Sequence, residues 1–142
     1  MTKHPSQREV DAILADFAPD ALQTDSADLG SLRLPAGLVL LPVLRADATA
    51  APRGPLPRRL LFEGPYSGSG ETTDWSQAAE LAARAELVLA GGLRETNVAA
   101  AVRHVRPFGV DVSSGVEERP GIKSSARIDA FTRAARAAFR EI

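Results

Sequence analysis

The most constraining feature of this 142-residue chain is one kind of junction that occurs three times in its second half. Leu60-Leu61-Phe62-Glu63 runs into a glycine-containing stretch that ends at Asp74-Trp75, Leu87-Val88-Leu89-Ala90 stops at Gly91-Gly92, and Val110-Asp111-Val112 stops at Ser113-Ser114-Gly115. Each time an apolar run breaks off at small or acidic residues. A strand covered on both faces reads as an unbroken Val/Leu/Ile run, which is the mark of parallel strands packed under helices. In folds of that kind functional groups collect where the strands end.

The segments between the junctions read as helices. Asp74-Trp75-Ser76-Gln77 has the pattern of a capping box and predicts a helix from Asp74 to about Arg84. Val98, Ala101, Val102 and Val105 share one face of a helix expected from about Glu95 to Val105, and Ile128, Phe131, Ala135 and Ala138 share one face of a last helix from Ser125 onward. The N-terminal part keeps the same rhythm. Ser6-Gln7-Arg8-Glu9 is a second capping box, ahead of Val10, Ile13, Leu14 and Phe17 on one helical face, with Pro19 to end the helix. Strands are expected at 21–24 and 38–44, the latter holding Pro42, which fits best near a strand end or bulge. A short or irregular helix is expected within 25–37, and 46–57 reads as an exposed connection. Alternating strand and helix implies right-handed crossovers and a parallel sheet. The expectation is an α/β chain of five parallel strands in a single domain over 1–142, one core being what this length supports.

Composition removes whole classes of function. The 17 Lys and Arg nearly balance 18 Asp and Glu, for a formal net charge of -1, so no global basic field is present to hold a nucleic acid or an anionic membrane. There is no cysteine, hence no disulfide, thiolate metal site or thiol nucleophile in these residues. No apolar run approaches the roughly 18 residues of a membrane span, and a cytoplasmic protein is expected. His4 and His104 have no third ligand near them in sequence, so no metal site is expected. Arg127, Arg133, Arg136 and Arg140 of the last helix read as a solvated face.

The residues left over carry the chemistry. Gly91-Gly92 and Ser113-Ser114-Gly115 follow strands, and bare backbone amides in such loops can approach an oxyanion with no Cβ in the way. They are the candidate phosphate-binding residues. Glu63 ends a buried strand, as a candidate catalytic acid or as a group that caps the next loop or pairs with Arg58 or Arg59. Asp111 lies within an apolar strand, where an unpaired carboxylate is costly, so it either faces a ligand or pairs with Arg45. Gly68-Ser69-Gly70 reads as a mobile lid or a plain flexible loop, and Trp75 as a core residue at a helix start.

Three motifs in this order resemble the C-terminal half of the phosphoribosylanthranilate isomerase family of tryptophan biosynthesis. They are Ser67-Gly68-Ser69-Gly70 with Thr73-Asp74-Trp75, then Leu89-Ala90-Gly91-Gly92-Leu93 with Asn97-Val98, then Gly109-Val110-Asp111-Val112-Ser113-Ser114-Gly115-Val116-Glu117 with Pro120-Gly121 and Lys123. The resemblance implies a partial (β/α)8 TIM barrel in which the strands ending at Glu63, Ala90 and Ser113 are the sixth, seventh and eighth. Leu22-Gln23 resembles the end of the fourth strand, with Thr24-Asp25 where the family usually has His-Gly. A whole barrel takes eight strands and commonly 200 residues or more, so the chain is expected to be an N-terminally truncated barrel holding strands 4–8.

The resemblance also implies an activity. In the family's Amadori rearrangement an acid protonates the furanose oxygen of a phosphorylated sugar-anthranilate substrate, and a base then removes the C2 proton, with no metal or cofactor. Glu63 stands where the family commonly has the acidic Asp. The family's cysteine base lies on the first strand and its carboxylate-binding arginine near the second, so an isomerase impaired in this chain is expected, its first strands being encoded upstream. The alternative is a non-catalytic phosphate-ligand-binding or interaction half-barrel that completes its sheet with a partner chain or a second copy. A third reading, another barrel enzyme acting on a phosphorylated sugar, is disfavoured by the Asp-Val-Ser-Ser-Gly-Val-Glu run.

Overall fold

A computed structural model describes residues 2–45, 54–64 and 74–142. The expected lid Gly68-Ser69-Gly70 lies outside the described residues, as does most of the connection at 46–57. The chain divides into two compact units, Met1–Leu44 and Arg45–Ile142.

The first unit opens with helix α1 (Gln7–Phe17), and its capping box is formed in both directions: Ser6 Oγ accepts from the Glu9 amide and the Glu9 carboxylate accepts from the Ser6 amide. Ala18, in the left-handed conformation at φ 44°, ends it. Val10 is fully buried, but Phe17 is 78 % exposed and does not join the inward face. The unit offers α1 just two strands to pack against, and the last helical turn is left uncovered. Strand β1 (Ala21–Asp25) runs parallel to β2 (Val39–Arg45), with Ala21 opposite Val39 and Asp25 opposite Val43. The helix expected within 25–37 is reduced to a single 3-10 turn at Leu29–Ser31.

Pro42 sits in the middle of β2, not at its end. The Val39 amide donates to the Asp20 carbonyl and the Val43 carbonyl accepts from Ser26, so the odd-numbered residues of β2 direct their backbone groups at β1. Pro42, an even-numbered residue, turns its missing donor away from that ladder, which is how the ring is tolerated mid-strand. Burial of β2 begins at Pro42, since Val39 and Leu40 at its start are exposed.

The second unit repeats strand and helix: β3 (Arg59–Glu63), α2 (Trp75–Ala82), β4 (Glu86–Leu89), α3 (Val98–Val105), β5 (Gly109–Val110), an antiparallel hairpin of β6 (Glu117–Arg119) and β7 (Ile122–Lys123), then α4 (Ser125–Phe139). The three pairings made within the units are all parallel, β1 with β2, β3 with β4 and β4 with β5. Leu60, Leu61, Phe62, Leu87 and Leu89 are at most 2 % exposed. Ala78 and Leu81 of α2, the whole expected face of α3, and Phe131, Ala135 and Ala138 of α4 are buried as well, with α2 packed on β4 and α3 between α2 and α4. Each such Leu, Val or Phe contributes about 2 kcal/mol through removal from water. Ile128 departs from its expected face and is 42 % exposed, because the first turn of α4 lies beyond the packed part of the helix.

Two boundaries shift in ways that matter for the site. β5 is two residues long, so Asp111 follows the strand and does not interrupt it, although its amide still donates to the Leu89 carbonyl. Helix α3 starts at Val98, three residues later than the apolar spacing suggests. At the opposite end of the strands Glu86 takes both Arg58 and Arg59, and Arg59 lies 4.1 Å over the Phe108 ring. That arrangement removes the reading in which Glu63 pairs with either arginine. No helix among the described residues is long and apolar enough to cross a membrane.

Candidate active site

The register of the parallel strands gathers the site. Phe62 pairs with Leu89 and Leu89 with Val110, so the residues that follow, Glu63, Ala90 and Asp111, emerge along one edge of the sheet. The Ala90 amide donates to the Phe62 carbonyl and the Asp111 amide to that of Leu89, both at 2.8 Å, which extends the ladder by one rung to that edge. The common rim follows from parallel pairing alone: strands that run the same way in register must end on the same side.

Glu63 is 9 % exposed, and its Oε1 accepts a hydrogen bond from Arg45, the last residue of β2 and the first of the second unit, at 2.5 Å. The Arg45 side chain is 25 % exposed. Of the two readings of Asp111, the pairing with Arg45 is not the one formed: its charged neighbour is Lys123. Asp111 is an exposed residue whose carboxyl is partly desolvated by the surrounding protein. That partial burial raises its pKa above the ordinary 3.8, and the Lys123 ammonium acts in the opposite direction.

The loop after β4 is built on two glycines with φ of 89° and 63°, a region that side chains rarely enter, so Gly91 and Gly92 are needed for the turn itself. Asn97 then fastens the loop. Its Nδ2 donates to the Gly92 carbonyl and its Oδ1 accepts from the Arg94 amide, each at 2.9 Å. This strap from Leu93 to Asn97 occupies the place where the first helical turn was expected. The loop after β5 makes a 3-10 turn at Ser114–Val116. Gly115 is pressed against the first loop: a Cβ built on it would lie 1.8 Å from the Leu93 carbonyl oxygen. The two loops therefore touch backbone to backbone, and the amide-bearing segments 91–92 and 113–115 form adjoining walls.

Asn97 and Lys123, both within the family-like motifs, hold the two loops in place. Asn97 braces the first loop, a part legible in hindsight from an Asn three residues past Arg94, since Asn side chains close such turns. Lys123 braces the second from a hairpin that no apolar periodicity marks. Elsewhere, His4 meets Asp25 and Asp28, with ligand atoms all within 4.8 Å of one another. Sequence spacing did not bring these three together because Asp25 and Asp28 join His4 only through the fold of the first unit.

A model of the N-(5'-phosphoribosyl)anthranilate isomerase family matches residues 42–134, a span that contains Arg45, Glu63, both loops and Lys123. The chain belongs to the phosphoribosylanthranilate isomerase family. The isomerase of Roseiflexus sp. (strain RS-1) is 59 % identical over 75 residues, 53 % of this chain and 35 % of that protein. That of Haloferax volcanii is 40 % identical over 135 residues, 87 % of this chain and 61 % of the relative. The chain thus spans from about a third to three fifths of the length of these curated relatives. Among solved structures, the isomerase of Thermotoga maritima superposes with a TM-score of 0.69 at 27 % identity, over 96 % of this chain and 71 % of that one. A family member solved with reduced 1-(o-carboxyphenylamino)-1-deoxyribulose 5-phosphate superposes at a TM-score of 0.66 over 96 % of this chain and 69 % of that one, with 24 % identity. The likeness places the five parallel strands in a partial barrel of the isomerase type.

The raised pKa of Asp111 has a consequence for stability. The unfolded chain gives up this proton first as pH rises, so the contribution of the protonated form is complete below the unfolded value of 3.8 and is lost as pH rises through the higher folded-state value. Asp111→Asn should accordingly melt at a higher temperature than the parent at neutral pH, with the two melting points converging in acid. A variant less stable at pH 7 would mean that the Lys123 contact outweighs burial.

Proposed function

We propose that the chain carries the phosphate-holding and proton-donating part of a phosphoribosylanthranilate isomerase active site. The observation that supports it is the alignment of Glu63 and the two loops, 91–92 and 113–115, along one rim of parallel strands. Amides of Gly91, Gly92, Ser114 and Gly115 would hold the 5-phosphate, which needs donors at close range more than it needs a net positive charge. Glu63, in its protonated form, would give its proton to the furanose oxygen as the C1–O bond breaks and the anilino nitrogen lone pair forms the C=N bond. Arg45 would then face the carboxylate that proton donation leaves behind and stabilise it. Loss of the C2 proton to a base then gives an enolamine, which tautomerises to the aminoketose as the C2 hydroxyl loses a proton and C1 gains one, and Asp111, at the same rim, would meet a sugar hydroxyl. By the family resemblance that base belongs to the first strand, outside the portion of the barrel matched here. The ligand of the structurally similar isomerase, a reduced product with the same phosphate, is of the class this rim would accept.

The absence of cysteine from all 142 residues favours one other reading, a phosphate-ligand-binding half-barrel that acts with a partner chain. Expression in a tryptophan auxotroph separates the two. This chain together with the first three strand-helix units of a relative should restore growth, and Glu63→Gln in the same pair should abolish it by removing the proton donor, a loss of about a hundredfold or more in rate. Growth that is indifferent to Glu63 would remove the acid from the scheme. Phosphate binding without growth in the pair would favour the binding protein.

A further inference from the structure

Lys123 has three acceptors and no part in the chemistry so far. Its Nζ donates to the Ser113 carbonyl at 2.9 Å, to Ser113 Oγ at 3.1 Å and to Glu117 Oε1 at 2.7 Å. The hairpin makes this possible. Glu117 pairs directly with Lys123 across β6 and β7, the Gly121 amide donates to the second oxygen of Glu117, and Arg127 donates to the Glu117 carbonyl, so the strap is anchored to α4 as well. The Glu117 carboxyl is held below the usual carboxylate range, first by its hydrogen bond from Lys123 and then by the Gly121 amide. Lys123 also faces Asp111, whose charge it offsets at the mouth of the two loops.

The Ser113 carbonyl is not an incidental acceptor. It belongs to the same rigid, planar peptide unit as the Ser114 N–H, and in a trans peptide the two point in opposite directions. Holding the oxygen therefore aims the hydrogen. Ser113 has φ -123° and ψ -84°, and ψ is the torsion that rotates this peptide plane. The Val116 amide also donates to the Ser113 carbonyl, but at 3.3 Å, a weaker hold than the 2.9 Å charge-assisted bond from the ammonium.

We propose that Lys123 is a positioning residue: by gripping the Ser113 carbonyl it turns the Ser114 amide into the phosphate site and so sets the affinity of the second loop. This rests on the phosphate reading of the loops given above. A neutral side chain of similar length, Lys123→Met, should let the Ser113–Ser114 peptide rotate, and Lys123→Arg, which can still reach a carbonyl and a carboxylate, should largely retain its orientation.

The test uses the whole chain labelled with nitrogen-15 and inorganic phosphate as the probe. Residual dipolar couplings report the direction of the Ser114 N–H bond without phosphate, and a titration reports the amides of Gly91, Gly92, Ser114 and Gly115. In Lys123→Met the Ser114 vector should turn and phosphate affinity should fall about tenfold, the scale of one charge-assisted hydrogen bond. The ratio between parent and variant should persist in about 0.5 M salt, where bare charges are screened within a few ångströms. Lys123→Arg should restore most of the affinity. An unchanged Ser114 vector, an unchanged affinity, or a loss that disappears in salt overturns the positioning role while leaving phosphate binding intact. If no loop amide of the parent chain responds to phosphate, the phosphate reading itself fails and takes this role with it.

Discussion

Gly115→Ala is expected to destabilise the second unit by about 3 kcal/mol or more, at the upper end of what one added methyl group does in a packed site. The reason is the neighbour. The new carbon would sit 1.8 Å from the Leu93 carbonyl oxygen and 2.9 Å from its carbonyl carbon, and a backbone oxygen cannot swing aside as a side-chain tip can. Relief requires one loop to back away from the other, which also separates the amides of 91–92 from those of 113–115. Urea denaturation should show the lower midpoint, with a melting temperature reduced by about 10 °C. In the phosphate reading, the response of all four loop amides to phosphate should weaken together. A variant as stable as the parent would mean that the two loops do not make this contact.

Arg45→Met should cost about 2–4 kcal/mol. It takes from the buried Glu63 carboxylate, whose side chain is 12 % exposed, the guanidinium that donates to it at 2.5 Å. The lower part of that range reflects the quarter of the Arg45 side chain that water still reaches. Because the penalty lies in a buried charge that has lost this cation, Arg45→Met combined with Glu63→Gln should be markedly more stable than Arg45→Met alone. The double-mutant cycle should thus give a coupling of about 1–3 kcal/mol. Additive losses in the cycle would show that the pair is not coupled. In the isomerase reading the same substitution also removes the cation that stabilises the spent acid, so activity in the complemented barrel should fall more than stability requires.

Strand and helix identity in this chain was legible because burial on both faces leaves a one-dimensional trace. Leu60-Leu61-Phe62 and Leu87-Val88-Leu89 have no polar residue to place outward, and Val98, Ala101, Val102 and Val105 fit no period but the helical one. Ser6 with Glu9, and Asp74 with the amides of Ser76 and Gln77, announced two helix starts because a cap is a local interaction between near neighbours. Where a helix is short the trace weakens. Helix α3 starts three residues later than its apolar spacing predicts, since nothing in that face says that Asn97 spends its side chain on Gly92 and Arg94 instead of on a helical turn. Phe17 and Ile128 have the right spacing to be buried and are exposed, because spacing assigns a face but not the extent of what covers it.

The order of the residues by itself determined the alternation of strand and helix, the glycine and serine turns that follow β4 and β5, and the family to which those turns belong. Each is a property of neighbours a few positions apart. Tertiary structure alone decided that Arg45 takes Glu63 and leaves Asp111 to Lys123, that Leu93 and Gly115 meet backbone to backbone, and that a lysine ten residues downstream grips the carbonyl of Ser113. These are meetings of distant segments whose partners are fixed by strand register and loop path, and a charge or a missing Cβ in the sequence carries no record of which partner it will face.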